Sequence, residues 1–116
     1  MFGLHSTKGY HEIVPGIEIK TIAHGESVLM TQFSMEAGAK LPDHSHPNEQ
    51  IGYLVTGCIR LHIGDSSREL GSGCSWCVPS GIAHGADILE DSVAIEIFSP
   101  VRTDYLKFVN PPDVTE

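Results

Sequence analysis

Two histidines one residue apart are the side chains in this sequence best suited to chemistry. His44 and His46 lie in the segment 38–50, bracketed by prolines. On an extended chain, side chains two positions apart point to the same face, so both imidazoles would project together. Neutral imidazole binds zinc, iron, nickel and copper, and the pair therefore suggests part of a metal site. The alternative, which a bare His-x-His favours, is two surface histidines in a polar loop.

A glutamate between apolar neighbours is the second candidate for chemistry. In the segment 93–99, Glu96 and Phe98 share one strand face with Ala94. A carboxylate in a central strand is costly to bury unless it is paired or catalytic. Arg102 follows shortly after, and its planar guanidinium is suited to clamping a carboxylate. Two interpretations stay open: an active-site role, or a Glu96–Arg102 ion pair on the surface.

The three cysteines are predicted to be structural. Cys74 and Cys77 have the C-x-x-C spacing of redox and zinc motifs. On a strand, residues three apart face opposite sides, so one metal ion could not easily bind both. We predict that these two and Cys58 are packing residues, and we predict the same for Trp76. An odd number of cysteines fits a reducing compartment.

Strand patterns dominate the elements that must position these side chains. Alternating or β-branched segments predict strands over 17–22, 27–35, 50–56, 58–63, 75–78 and 93–99, with Gly57 separating the third from the fourth. Residues 64–67 are typical of a hairpin turn. No stretch keeps helical spacing for three turns. The 12 glycines and 7 prolines punctuate the chain in the manner of an all-β sandwich or barrel.

Length and charge narrow the class of protein further. The 116 residues suit a single domain, with a core barrel over about 11–104 and a loose tail over 108–116. The net charge of −8 argues against nucleic-acid and membrane-surface binding, because neither a basic stripe nor a basic patch is available. No apolar run has the length of a membrane span or of a signal peptide, so we expect a cytoplasmic protein.

Two segments taken together resemble the paired signature of the cupin superfamily. The first cupin motif runs Gly, five residues, His-x-His, three or four residues, Glu, six residues, Gly. The second runs Gly, five residues, Pro-x-Gly, two residues, His. The matching positions are Gly38, His44, His46 and Gly57, then Gly73, Pro79, Gly81 and His84. The resemblance implies an all-β, double-stranded β-helix (a jelly-roll barrel), one divalent transition metal ion in its mouth, and a homodimer.

The resemblance also implies a ligand set. His44, His46 and His84 would bind the metal, and the motif's acidic ligand position falls on Gln50, with Glu49 one residue early. Successive strand residues face opposite sides, so we prefer Gln50 as the fourth ligand and keep Glu49 as the alternative. The metal could be Zn, Ni, Fe or Mn. An amide in place of a carboxylate leaves the cation more positive, which favours polarising oxygens over redox chemistry.

Within the superfamily, segments 44–51, 79–86 and 98–102 look like the KdgF group of small cupins, which is associated with pectin and alginate breakdown. This resemblance implies an enzyme that converts 4,5-unsaturated monouronates, anionic sugar acids, into linear keto-uronates. It also implies active-site roles for Glu96, Phe98 and Arg102, with Glu96 standing where the group has Asp. A cupin dioxygenase, a polyketide-cyclising cupin and a non-catalytic sugar-acid binding or sensing cupin remain as alternatives.

Overall fold

The computed structural model describes residues 1–109 of the chain. Within these residues the chain forms eight strands and one short 3₁₀ helix. The strands are β1 (His11–Val14), β2 (Ile17–His24), β3 (Leu29–Met35), β4 (Lys40–His44), β5 (Glu49–Ile63), β6 (Ser66–Gly71), β7 (Ser75–Val78) and β8 (His84–Ser99), and the helix covers Thr103–Phe108. The all-β prediction is confirmed.

Two long antiparallel strands, β5 and β8, organise the sheet. They pair with each other along almost their whole length. The second half of β8 also pairs with β3 and its first half with β4. In the same way, β5 pairs with β7 through its first half and with β6 through its second. Each long strand therefore pairs with a different strand through each of its halves. Strands β1 and β2 extend the sheet beyond β3.

Gly57 lies inside a strand and does not end one. The segments 50–56 and 58–63, expected as separate strands, are one strand whose pairing with β8 shifts register between Leu54 and Ile59. Gly57 has a φ of +107°, and a Cβ there would overlap Ser92 on β8. Glycine is needed because the bulge combines a left-handed conformation with a close strand approach.

The remaining strand predictions differ from the structure mainly in length. Residues 75–78 form a strand as predicted, and the strand predicted over 93–99 begins already at His84. The hairpin turn is confirmed, since Ile63 pairs with Ser66 across two residues. The short strands β1, β4 and β6 were not predicted, because they are exposed and carry few apolar residues.

The core lies inside the curved sheet, where every second side chain points inward. In β3, burial alternates along the strand, with Leu29 and Phe33 inside. Trp76 is buried as predicted. The packing prediction is wrong for Cys77, which is exposed, while Cys58 and Cys74 are half-buried free thiols. Trp76 takes the inward position on β7, so the cysteine beside it faces solvent.

The 3₁₀ helix is attached to the sheet. The Thr21 hydroxyl donates to the backbone oxygen of Tyr105 over 2.7 Å, and Val109 forms a parallel bridge with Thr21. Phe108 packs against the core. The ordered chain therefore continues past the predicted boundary at 104, and residues 108 and 109 are not a loose tail; the rest of the predicted tail, 110–116, lies outside the described residues. Among residues 1–109, no helix is long and apolar enough to cross a membrane.

Candidate metal centre

Three histidines from two parts of the chain converge at one end of the sheet. His44 ends β4 and lies directly opposite His84, which begins β8. His46 follows in the connection to β5. The ring centroids lie 4.3 Å (His44–His84), 4.9 Å (His46–His84) and 5.7 Å (His44–His46) apart. One ring nitrogen from each lies within 4.8 Å of the others, so the three are positioned to bind one metal ion.

Backbone carbonyl groups fix the tautomer of all three rings. Each Nδ1 lies 2.9 to 3.0 Å from a carbonyl oxygen two residues away, those of Pro42, Asn48 and Ile82. A carbonyl oxygen only accepts hydrogen bonds, so each Nδ1 must carry the proton and donate it. The lone pair of each neutral ring is then on Nε2, in the tautomer and orientation typical of metal-binding histidines.

His84 gives the clearest sign that a cation fits here. Its side chain is 3% exposed, and its Nε2 is a buried atom without a hydrogen-bond partner among the described residues. Burial lowers the pKa of His84 to about 4, which keeps the ring neutral. Burial and then the nearby Arg102 also lower the pKa of His46. A buried lone pair without a partner is unfavourable in water-free surroundings but is what a metal ion needs.

Gln50, and not Glu49, faces this cluster. Gln50 is buried and lines the same pocket as His44 and His84, while Glu49 is exposed on the opposite face of β5. The Oε1 of Gln50 lies 3.0 Å from Nε2 of His46. Because that ring is protonated on Nδ1, both atoms are acceptors, and they repel unless a positive charge lies beside them. Three imidazoles and one amide oxygen suit several divalent transition metals.

Glu96 lies in the pocket next to the histidine cluster. The residue is 8% exposed, and Trp76 donates its indole N–H to Oε1 of Glu96 over 2.9 Å. Burial raises the pKa of Glu96 to about 7, and hydrogen bonds from Gln50 and Trp76 offset part of that effect. The group can therefore take up or release a proton near neutral pH. Phe98, on the same inner face, also lines the pocket.

Arg102, immediately before the 3₁₀ helix, also lines the pocket. Its guanidinium pairs with Asp104 at 3.2 Å and stacks over Tyr105, with the ring centroid 4.0 Å away. Within the described residues no ion pair joins Arg102 to Glu96, so the surface-pair interpretation of these two side chains is wrong. The physical reason is that Glu96 points into the pocket and bonds to Trp76, while the 3₁₀ helix supplies Arg102 with its own carboxylate.

Sequence reasoning missed two contributors to the pocket. Trp76 is predicted only as a packing residue; its strand alternates, and the register of β7, β5 and β8 brings it beside Glu96. Tyr105 is buried and supports Arg102. Its segment carried no helical signal, because a six-residue 3₁₀ helix is too short to show a period.

Comparison with known proteins agrees with this geometry. The family model for the cupin domain matches residues 31–99, which contain all three histidines. The pectin degradation protein KdgF of Dickeya dadantii is 31% identical over 99 residues, covering 84% of this chain and 90% of that protein. The structure of KdgF from Halomonas sp. matches with a TM-score of 0.85 and 32% identity, covering 90% of this chain and 98% of that one.

A more distant neighbour supports the architecture alone. An RmlC-like cupin from Shewanella frigidimarina has a TM-score of 0.85 at 24% identity, covering 90% of this chain and 94% of that one. The jelly-roll barrel implied by the sequence motifs is therefore confirmed.

Proposed function

The chain belongs to the cupin domain family, and on that premise we propose that it is a metal-dependent enzyme acting on a small sugar acid. The proposed reaction converts a 4,5-unsaturated monouronate into its linear keto form. The relationship to a protein named for pectin degradation supports the substrate class. The observation that carries the proposal is a buried carboxyl group in the pocket lined by His44 and His84, two of the three converging imidazoles.

Four side chains would hold the cation. His44, His46 and His84 supply nitrogen, and Gln50 supplies an amide oxygen. When bound, a divalent metal ion supplies Lewis acidity toward the oxygens of the substrate. The four ligands carry no charge of their own, so the positive charge stays available to an anionic substrate.

The reaction is an isomerisation and needs only movement of protons and electron pairs. The hydroxyl on C1 loses its proton, the bond between C1 and the ring oxygen breaks, and that oxygen gains a proton. An aldehyde forms at C1 and an enol at C5. The enol then loses its hydroxyl proton while C4 gains one, which leaves a ketone at C5. No water, oxidant or reductant is consumed.

The pocket offers a group for each demand of this chemistry. Glu96 would donate and accept the protons, because a pKa near 7 makes both forms available at neutral pH. Arg102 would bind the substrate carboxylate, exchanging its partly exposed partner Asp104 for the ligand. Phe98, buried beneath that guanidinium, would form the apolar wall.

Turnover of an unsaturated monouronate tests the proposal. The Co²⁺-loaded protein should remove the conjugated double bond well above the spontaneous rate. Glu96→Gln should slow turnover by roughly 100- to 10,000-fold and leave Co²⁺ binding intact. The matched control is Glu49→Gln, which changes an exposed carboxylate at the start of β5 and should have no effect.

Three results would contradict the proposal. Sugar-acid binding without turnover would indicate a binding module, and oxygen consumption would indicate a dioxygenase. Unaltered turnover by Glu96→Gln would remove Glu96 from the reaction. Ligand binding, oxygen consumption and turnover are measured on the same protein samples, so the three outcomes can be distinguished.

We further propose that the protein is a homodimer formed through the outer face of the sheet. In one row across three strands, Met30, Ile97 and Ile51 lie side by side, and Tyr53 extends the apolar surface along β5. Ile51 and Tyr53 are about half exposed, and a contiguous apolar face of this kind favours covering by another surface. Ile51→Lys should sediment as a monomer. The control Leu89→Lys, which changes an exposed residue outside this face, should sediment as the wild type does. A monomeric wild type would refute the proposed dimer.

A further inference from the structure

Gly52 occupies the point at which three strands bring two functional side chains together. In the pairing of β5 with β7, Gly52 lies opposite Trp76, and in the pairing of β5 with β8 it lies opposite Glu96. Strands on either side of a third are roughly 9 to 10 Å apart. The indole and the carboxyl group nevertheless meet at 2.9 Å, because both lean over Gly52.

The space above Gly52 is what permits this contact. A Cβ at this position would overlap both the indole ring of Trp76 and the carboxyl oxygen Oε1 of Glu96. Gly52 is not among the glycines with positive φ, so steric room and not backbone conformation demands glycine here. The absence of a side chain at Gly52 thus allows Trp76 on β7 and Glu96 on β8 to form a hydrogen bond across β5.

Glu96 connects this contact to the candidate metal site. Its carboxyl group accepts the indole N–H of Trp76, and Gln50, two residues from Gly52 on β5, lines the same pocket. The amide oxygen of Gln50 lies 3.0 Å from the Nε2 of His46, so the amide nitrogen is turned the other way and is available to donate to the Glu96 carboxyl group. A carboxyl group held where it can accept from that nitrogen would fix the orientation of the amide oxygen toward the cluster.

We propose that Trp76 is a positioning residue: through its indole N–H it holds the Glu96 carboxyl group over Gly52, and through Glu96 it orients the Gln50 amide toward the metal site. The catalytic part of this inference rests on the proposed function, whereas the part that concerns metal binding does not.

The first test observes the contact directly. Trp76 is the only tryptophan in the chain, so a ¹⁵N-labelled sample gives a single indole N–H signal. Removing the acceptor with Glu96→Ala should shift that signal and speed its hydrogen exchange by about tenfold or more in the metal-free protein. The control Glu49→Ala should leave it unchanged. An indole signal that Glu96→Ala does not move overturns the proposal.

The second test removes the donor and keeps an aromatic ring. Trp76→Phe should weaken Co²⁺ binding by about tenfold, as loss of a group that orients a ligand does. In the uronate assay it should lower kcat by tenfold or more while KM stays within twofold, because the carboxyl group is displaced but the substrate is still bound. The control is Ile19→Val, a fully buried core change outside the pocket, compared at a similar loss of Tm.

The outcomes separate the inference from the function on which it partly rests. Should Trp76→Phe match Ile19→Val in Co²⁺ affinity and in kcat, Trp76 is merely a core residue and the proposal is wrong. Should the wild type fail to turn over the uronate, the proposed function is wrong, and the indole signal and the Co²⁺ affinity still decide the role of Trp76.

Discussion

Replacing Gly52 with alanine should cost far more than the small size of a methyl group suggests. The methyl group would occupy the volume in which the Trp76 indole and the Glu96 carboxyl group meet. Neither can retreat easily, because Trp76 is packed in the core and Glu96 is held in β8. We expect the two side chains to separate and their hydrogen bond to be lost.

The magnitude follows from two costs and one gain. Forcing an extra carbon into a filled interior costs about 1–3 kcal/mol. Leaving the buried indole N–H or the carboxyl group without its partner costs about 1–3 kcal/mol more. The change from glycine to alanine stiffens the unfolded chain and returns about 0.4–1 kcal/mol. The sum is a loss near 3 kcal/mol in the free energy of unfolding, or roughly 10 °C in Tm for a domain of this size.

Urea and thermal unfolding of the metal-free protein measure this loss. The matched control is Gly71→Ala, since a Cβ there meets nothing within 4 Å and the residue also ends a strand. Gly71→Ala should be neutral or slightly stabilising. The same two samples give the emission of the single tryptophan, which should change only for Gly52→Ala. Equal stability of the two variants would refute the steric reasoning.

Three further predictions concern the candidate site. His84→Ala should weaken Co²⁺ binding by at least about 100-fold in a titration, because it removes a ligand and not only a supporting group. The control His62→Ala should leave Co²⁺ binding unchanged, because the His62 side chain bonds to Ser67 and Asp87 away from the cluster. Gln50→Glu should tighten Co²⁺ binding about tenfold or more by adding a negative charge, and should lower kcat because the cation becomes a weaker Lewis acid. Equal Co²⁺ affinities of the wild type and Gln50→Glu would show that Gln50 is not a ligand. In the metal-free protein, burial raises the pKa of Glu96 to about 7 from an ordinary 4.5. The contribution of Glu96 to the free energy of unfolding is therefore complete below pH 4.5 and is lost as the pH rises through 7. The urea midpoints of Glu96→Gln should not show this decline.

Alternation along single strands predicted much of the fold and part of the site. It placed Glu96 and Phe98 on one face and distinguished Gln50 from Glu49, and the structure has both arrangements. Such predictions succeed because the direction of a side chain in a strand depends only on local parity. The family motifs added His84, which local parity alone could not connect with the first two histidines.

Contacts that depend on the register of several strands could not be predicted. The hydrogen bond from Trp76 to Glu96 requires β7, β5 and β8 to align at Gly52, and no segment of the sequence contains that alignment. The prediction of two strands on either side of Gly57 was wrong for a related reason, since a glycine can end a strand or permit a bulge within one. Arg102 found its carboxylate two residues away in the 3₁₀ helix, which is too short to leave a periodic signal.

The use of main-chain oxygens to set the three imidazole tautomers has an evolutionary consequence. The accepting groups belong to residues 42, 48 and 82, but their side chains take no part in that contact. Positions 42 and 82 are therefore free to drift in identity while the proton on each ring stays where it is, whereas the Asn48 side chain is also held by its bond to the backbone oxygen of Pro100. Relatives could keep the same cation chemistry with unrelated amino acids there, and what natural selection would have to preserve is the course of three short backbone turns.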